Sequence, residues 1–262
     1  NASFVPAHLK RSMDVHEQIN KSVGFMRRRY WAKKFLAYFQ SYSNTYDDVH
    51  RLRELYSEAL DHESIHGLVV GTRADCVPEP VLVLLEELAE EYYVSVEYGI
   101  ESIADETLKR INRGHDFATL MDAVERSQNR GFHIGSHLIL GFPWEDRRQW
   151  LDTAEVVSEL GVEYLKIHHL QIVKGTELAR QHQEEPFELF EYHDWIQLVC
   201  DFLERLSPEI IVGRLAAGTP PRMLIAPKWD GIRHTNVIQE VVREMTQRGT
   251  EQGSLYHPEQ VA

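Results

Sequence analysis

Strand-like and helix-like segments alternate along this chain, and the alternation limits the fold more than any other feature of the sequence. Amphipathic helical patterns, such as DDVHRLRELYSEAL, separate apolar runs of strand length. At least five β/α units of this kind predict a parallel sheet with right-handed crossovers, either a closed or partly open barrel or a doubly wound sheet. The predicted strands begin near Lys34, His66, Tyr93, Phe132 and Val162.

Glycine-rich loops help to choose between these architectures. Neither GxGxxG nor GxxxxGK[ST] follows any of the predicted strands, which disfavours the usual dinucleotide and P-loop sheets. A later helix, FELFEYHDWIQLVCDFLERL, and a strand from Pro208 to Leu215 continue the pattern. The sequence therefore favours an α/β fold of barrel type with a C-terminal extension of helices and strand.

The predicted strand ends are rich in glycine and polar residues. They read FQSYSNT, GTRADC, EYGIES, LGFPWED and KIHHLQIVKGT. Ligands of α/β proteins bind at the carboxyl ends of parallel strands, so we expect these segments to form one shared mouth. Carboxylates such as Glu97, Glu101 and Glu145 also suit a simpler role, since strand ends often cap the next helix.

Composition and charge narrow the classes of function. The 262 residues are 43% hydrophobic, and the formal charge of −13 argues against a protein that binds phosphates over its whole surface. MRRRYWAKKF is a basic exception that suits a solvated helix end better than a nucleic-acid contact. No apolar run reaches membrane-spanning length and no signal-like start is seen, so the expected location is cytoplasmic, without a membrane partner.

Cysteine is scarce in this sequence. Cys76 and Cys200 are far apart, which excludes a disulfide framework and any CxxC-type metal site built from this chain alone. The sequence opens at Asn1, without an initiator methionine. We therefore expect the numbering to start inside a longer protein.

Several motifs in a fixed order carry a specific resemblance. EYGIES followed by TLKRINRGHD, then HLILGFPWED and KIHHLQIVKGT, resembles the radical S-adenosylmethionine (SAM) superfamily, in particular the branch related to coproporphyrinogen dehydrogenase and the catalytic subunit of Elongator. AYFQSYSNTY, VVGTRADCVP and RLAAGTPPRMLIAPKW resemble a bacterial group within it whose substrate is unassigned. The resemblance runs from Asn1 to about Glu244.

The resemblance implies a partial (β/α)6 barrel, similar to a TIM barrel, in which three cysteines in a loop after the first strand bind a [4Fe-4S] cluster. This chain departs from that pattern, because neither the loop nor its cysteines occur in it. We expect the first strand and the cluster ligands to precede Asn1, and the chain alone to be inactive. The expected segments are a barrel with strands 2 to 6 over residues 1–185, an extension packed on it over 186–248, and a flexible tail over 249–262.

The chemistry implied by the resemblance is reductive. A donor such as flavodoxin or ferredoxin reduces the cluster, SAM is cleaved to methionine and a 5′-deoxyadenosyl radical, and the radical takes hydrogen from a substrate. Thiolates ligate such a cluster, and its open iron position chelates the amino and carboxylate groups of SAM. The barrel is expected to orient the cofactor and to exclude water.

The resemblance assigns cofactor contacts to polar or small residues at the strand ends, namely Gln40, Ser41, Asn44, Glu97, Glu101, Ser102, Gly141, His168 and Gln171. The first three are expected near the methionine moiety, and the last two beside adenine. Glu97, with Glu101 or Ser102, matches the region that contacts the ribose or the amino-acid part, where a carboxylate suits hydroxyls or an ammonium. Gly141 is expected to allow close backbone approach.

Two other classes of function stay open. Fourteen histidines allow a barrel metallohydrolase that uses His115, His137, His168 and His169, although these four form no HxH or HExxH pair and adjacent strand residues face opposite sides. The other class is a cluster-free barrel that binds ligands without catalysis. The sequence does not identify the substrate, and RNA, a protein or a small molecule would suit the composition.

Overall fold

The computed structural model describes residues 14–40, 42–229, 232 and 234–258. The strands in this part of the chain are β1 (Phe35–Phe39), β2 (Ile65–Thr72), β3 (Tyr93–Glu101), β4 (His133–Leu140), β5 (Tyr164–His169), β6 (Ile172–Val173), β7 (Ile211–Arg214) and β8 (Leu224–Ala226). The helices are α1 (Val15–Tyr30), α2 (Val49–Leu60), α3 (Glu79–Ala89), α4 (Asp105–Arg110), α5 (Phe117–Ser127), α6 (Arg147–Glu159), α7 (Glu177–Glu184), α8 (Tyr192–Arg205) and α9 (His234–Arg248).

The main sheet has six strands, hydrogen-bonded in the order β1-β2-β3-β4-β5-β7. The pairs β1/β2, β2/β3, β4/β5 and β5/β7 are parallel, and at least one helix separates successive strands of this sheet in the sequence. These features confirm the predicted α/β fold of a partial, TIM-like barrel. The five predicted strand starts fall within two residues of the observed ones. The antiparallel pair of β6 and β8 forms a separate small sheet that the sequence analysis does not predict.

Local sequence signals explain where helices begin and end. The Asp146 side chain accepts from the backbone N–H of Gln149, whose side chain accepts in turn from the N–H of Asp146, and this capping box starts α6. Asp14 and Asp48 cap α1 and α2 through their carboxylates. After α6, Gly161 adopts a φ of 77°, which glycine reaches without strain, and the chain turns into β5.

The chain forms two compact units, of which the first comprises Asn1–Gly99 and Arg126–Ile134. One face of β2 and β3 supplies its core, where Leu68 and Val96 have no accessible surface. Tyr98 lies on the same face, and its hydroxyl is 2.7 Å from that of Ser127. This bond satisfies the buried phenol inside an apolar layer.

The second unit comprises Ile100–Glu125 and Gly135–Ala262. Its core includes Leu165 of β5, and α8 packs against both α6 and α9. Trp195 of α8 is fully buried, and its indole N–H donates to the carbonyl of Leu215 at 2.8 Å. This bond anchors the helix to the segment that follows β7.

Residues 249–258 end the described chain beside α8. The backbone N–H of Gly253 donates to the Leu203 carbonyl at 3.0 Å, and the side-chain amide of Gln252 donates to the carbonyls of Ser207 and Ile210. These bonds anchor the part of the tail for which the sequence predicts flexibility, while residues 259–262 lie outside the described residues. The predicted segments 1–185, 186–248 and 249–262 remain predictions.

In the part of the chain that the structure describes, every helix is too short or too polar to span a membrane. The cytoplasmic location remains a prediction.

Trp195→Phe is expected to lower the free energy of unfolding by about 1–3 kcal/mol, because the Leu215 carbonyl loses its donor inside the core. Trp31→Phe is the control, since Trp31 is 89% exposed, and its effect should stay within about 0.5 kcal/mol. Urea titration followed by circular dichroism measures both variants. Equal losses in the two would contradict the anchoring role of Trp195.

Candidate functional site

A buried carboxylate lies on the face of β3 that is turned away from the apolar core of the first unit. Side chains alternate along the strand, so Val96 faces the core and Glu97 faces the opposite side. Glu97 is nevertheless only 4% exposed, and the Tyr38 hydroxyl of β1 donates to its Oε2 at 2.5 Å. A short bond from a hydroxyl to a carboxylate oxygen holds the carboxylate in one orientation. The first unit thus holds an oriented carboxylate where the sequence predicts a cofactor contact.

Asn44 ties the segment after β1 to the neighbouring strand. Its side-chain amide donates to the carbonyl of Phe39 at 2.9 Å and to that of Gly71 at 2.8 Å, while its backbone carbonyl accepts from the Tyr56 hydroxyl at 2.7 Å. These bonds fix the carboxyl ends of β1 and β2 relative to each other. Gln40 is exposed, and the other predicted contact, residue 41, lies outside the described residues. Contacts of all three residues with SAM remain predictions.

A strained turn ends β3. Glu101 has a φ of 63°, in the left-handed region that non-glycine residues seldom enter, and the N–H of Ser102 donates to the Ile100 carbonyl at 2.8 Å. The three residues form a γ-turn of the rare, positive-φ kind. A guanidinium nitrogen of Arg113 lies 3.5 Å from the Glu101 carboxylate. Strained backbone of this kind clusters at binding sites, where the surrounding structure imposes it.

Ser102 and Glu145 form a hydrogen-bonded frame beside this turn. Ser102 Oγ donates to Glu145 Oε1 at 2.6 Å and accepts from the N–H of Ala104 at 3.0 Å. The indole N–H of Trp150 donates to Glu145 Oε2 at 2.9 Å, so both carboxylate oxygens are engaged. Glu145 therefore connects the end of β3 to α6. The sequence analysis allows Glu145 to cap α6, but the capping residue is Asp146.

The position of Gly141, at the carboxyl end of β4, admits only glycine. Its φ is 100°, and a Cβ atom placed here would lie 2.6 Å from the ring of Phe190. A side chain would therefore strain the backbone and collide with this ring. Within the second unit, the group that lies close to the backbone of Gly141 is the ring of Phe190. Contact between Gly141 and SAM remains a prediction.

The strands β4, β5 and β7 present a basic face. Lys166 pairs in register with His137 and Arg214, is only 7% exposed, and places Nζ 5.4 Å from the centre of the Tyr164 ring. The rings of His137 and His168 stack at 5.8 Å, and His168 Nε2 is buried without a hydrogen-bond partner among the described residues. Burial, helped by the positive neighbours, lowers the pKa of His168 to about 3, so its imidazole is neutral at pH 7.

His169 lies in different surroundings from His168, as alternation along the strand predicts. Its ring stacks on Trp229 at 4.0 Å, and its Nδ1 accepts from the backbone N–H of Ala217 at 3.2 Å. The amide nitrogen of Gln171 lies 2.9 Å from His169 Nε2. His168 and Gln171, which the resemblance pairs as adenine contacts, therefore have different neighbours in the second unit, and their contact with adenine remains a prediction.

The described residues do not fit a metal centre. No group of three histidine, cysteine or carboxylate side chains among them could hold a metal ion, so the metallohydrolase alternative gains no support. Cys76 and Cys200 are both buried, and burial raises the pKa of each thiol, to about 12 for Cys200. These residues do not supply the ligands of a [4Fe-4S] cluster. SAM fits the described residues better, because a carboxylate such as that of Glu97 can accept from its ammonium or its ribose hydroxyls.

Three residues of these surroundings are missed by the sequence analysis, namely Tyr38, Arg214 and Trp229. Tyr38 bonds to a carboxylate that is 59 residues away on a strand that is not its neighbour in the sheet. Such contacts depend on the register in which the strands pair, and this register cannot be read from a single sequence. For Tyr38 and Arg214 the available signal was their position, one or two residues before the end of a predicted strand. Trp229 lies on no strand and gave no such signal.

Comparisons with known proteins identify the family. The family model of the radical SAM superfamily matches residues 7–157, more than half of the chain, and that of the radical SAM C-terminal domain matches residues 162–247. Protein YhcC of Escherichia coli (strain K12) is 37% identical over 258 residues, 98% of this chain and 82% of that protein. The tRNA uridine(34) acetyltransferase of Methanocaldococcus infernus is 22% identical over 197 residues, 74% of this chain and 35% of that protein.

A solved structure has the same fold. The archaeal Methanocaldococcus infernus Elp3 with an N-terminal deletion matches with a TM-score of 0.78 at 17% identity, over 91% of this chain and 60% of that one. This likeness confirms the partial barrel. The match of the family model over more than half of the sequence shows that the chain belongs to the radical SAM superfamily.

Proposed function

We propose that the protein is a radical SAM enzyme and that Glu97 receives the cofactor. The observation that carries the proposal is a carboxylate that is only 4% exposed yet faces away from the apolar core, oriented by Tyr38. Burial of a carboxylate is costly unless it is hydrogen-bonded or paired, and a cationic ligand would be such a partner. Membership of the radical SAM superfamily supports SAM, a cation, as the ligand of this carboxylate.

The cofactors would supply the hard step of the reaction. When bound, SAM and a reduced [4Fe-4S] cluster supply cleavage of SAM to methionine and a 5′-deoxyadenosyl radical that takes hydrogen from the substrate, with flavodoxin or ferredoxin as the electron donor. The described residues do not supply the thiolates of this cluster. Ligands upstream of Asn1 remain a prediction, as does the inactivity of the chain alone.

The residues of the chain bind and orient SAM. The ammonium and sulfonium of SAM are positive, and an ionised carboxylate is the acceptor that suits an ammonium or a pair of ribose hydroxyls. Glu97 supplies such an acceptor in the first unit, with Tyr38 fixing its rotamer. Glu101 supplies one in the second unit, held by its γ-turn and by Arg113. Asn44 keeps the ends of β1 and β2 in place.

The substrate that we favour carries negative charge. Lys166 and Arg214 on the basic face carry positive charge, which suits an anionic group and not the cationic part of SAM. RNA is a candidate that meets this requirement, and a relative over part of the chain bears the name tRNA uridine(34) acetyltransferase. A small-molecule or protein substrate would need to offer a comparable anionic group.

Glu97→Gln is expected to raise the Kd for SAM roughly 10-fold or more, because the amide keeps the shape but loses the charge that a cationic ligand needs. Isothermal titration calorimetry with SAM measures the change. Glu91→Gln is the control, since Glu91 is an exposed glutamate two residues before β3, and it should leave the Kd unchanged. An unchanged Kd in Glu97→Gln would remove Glu97 from the site.

Substitutions of Glu101 should affect the free energy of unfolding and the affinity for SAM differently. Glu101→Gly is expected to leave the free energy of unfolding within about 1 kcal/mol of the parent, since relief of backbone strain offsets the lost ion pair. Glu101→Ala loses the pair and keeps the strain, and should be less stable than the glycine variant by about 1 kcal/mol. Both variants should bind SAM more weakly.

Urea titration and calorimetric titration with SAM provide the two readouts for these variants. Parent-like SAM affinity in Glu101→Gly would show that the strained turn does not serve binding. A glycine variant less stable than the alanine variant would show that the backbone of residue 101 is not strained.

A further inference from the structure

The second unit contains a cavity of about 630 Å³ beside the carboxyl end of β5. It is lined by His169 and Gln171 after β5, by the segment Ala216–Pro221 after β7, and by Lys228 and Trp229 after β8. Its volume lies in the range of small-molecule sites. It lies at the strand edge where α/β barrels bind their ligands. Of its lining residues, Gln171 is the one with a cofactor role predicted above, a contact with the adenine of SAM.

Contacts within the second unit hold the walls of this cavity in place. The indole of Trp229 stacks on His169 and donates its N–H to the Phe190 carbonyl at 3.0 Å. The backbone N–H of Ala217 donates to His169 Nδ1, and that of Thr219 donates to Gln171 Oε1, each at 3.2 Å. Walls that are already fixed cost less entropy when a ligand binds.

The chemistry of the lining is flat and apolar with one positive charge. Pro220, Pro227 and Trp229 supply rigid surface, and among the described lining residues Lys228 is the charged one and no carboxylate occurs. Burial lowers the pKa of His169 to about 3, so this ring adds no charge at pH 7. The lining is therefore a match for a flat ring and an anion.

SAM is a poor occupant of such a cavity. Its sulfonium and ammonium would meet an ammonium with no carboxylate to offset them. A planar ring can pack against the proline and indole surface, and an anionic substituent can pair with Lys228 at the rim.

We propose that this cavity binds the substrate, a flat heteroaromatic ring that carries one anionic group, of the kind found in a nucleoside monophosphate. The proposal names a substrate class for the radical SAM enzyme and so rests on the proposed function. The nucleotide is either free or part of an RNA chain, since both offer the same ring and phosphate.

Gly218 offers a way to fill the cavity without disturbing the fold. It lines the cavity, and a Cβ atom placed on it has no atom within 4 Å. Its φ is outside the left-handed region, so a side chain adds no backbone strain. Gly218→Leu should therefore keep the fold and occupy the space that a ring would take.

The test is calorimetric titration of the protein with UMP and AMP, with uridine and adenosine as partners that lack the phosphate. At least one nucleotide should bind, more tightly than its nucleoside. Lys228→Gln should weaken that nucleotide roughly 10-fold without affecting the nucleoside, and Gly218→Leu should abolish both. Lys174→Gln is the matched control, an exposed lysine outside the lining, and should change nothing.

A hexanucleotide RNA separates the two sources. If the hexanucleotide binds more tightly than the mononucleotide, and Lys228→Gln and Gly218→Leu lose this binding, the substrate is part of an RNA chain. If the hexanucleotide binds equally or more weakly, the substrate is a free nucleotide. The proposal is overturned if neither nucleotide nor RNA binds, if nucleosides bind as tightly as nucleotides, or if folded Gly218→Leu binds like the parent.

These titrations need neither SAM nor a cluster, so they fail independently of the proposed function. If the protein binds SAM but no nucleotide, the assignment of the cavity is contradicted and the proposed function is not. Nucleotide binding in a protein that does not bind SAM contradicts the proposed function and leaves a nucleotide site in a protein of another class.

Discussion

Alternation along parallel strands is the constraint on which the rest of the structure depends. Neighbouring residues face opposite ways, so one face of each strand is committed to the apolar core and the other can carry polar groups. Val96 is in the core and Glu97 is not, just as Leu165 is in the core and Lys166 is not. A charge on the core face would cost several kcal/mol, whereas on the opposite face it can meet a ligand.

Several residues at the strand ends hold the frame instead of a ligand. The Asn44 amide is engaged with two carbonyls, and Glu145 is engaged through both carboxylate oxygens. Gly141 is required by the ring of Phe190. The carboxylates that we assign to SAM have other partners, Tyr38 for Glu97 and Arg113 for Glu101. Such partners are what a site needs to hold a cofactor in one orientation. Polar residues at a strand end are therefore weak evidence of ligand contact until their partners are known.

The sequence predicts the strands well because their apolar runs are long and are punctuated by glycine and by helix caps such as Asp146. It also separates His168 from His169, since alternation is a local property. It does not predict the bond between Tyr38 and Glu97, which depends on register between distant parts of the chain. The small sheet of β6 and β8 is missed as well, because its strands are two and three residues long and one is followed by proline. The stacking of His169 on Trp229 likewise joins segments that have no common local signal.

The central claim is that this barrel belongs to an enzyme that cleaves SAM, and product formation tests it most directly. The natural full-length protein would be reconstituted anaerobically with iron and sulfide, reduced, and assayed for 5′-deoxyadenosine by mass spectrometry. We expect about four irons per chain and 5′-deoxyadenosine that forms only with both SAM and the reductant. A folded protein that takes up no iron and forms no 5′-deoxyadenosine would contradict the account and leave a barrel that binds its ligands without catalysis.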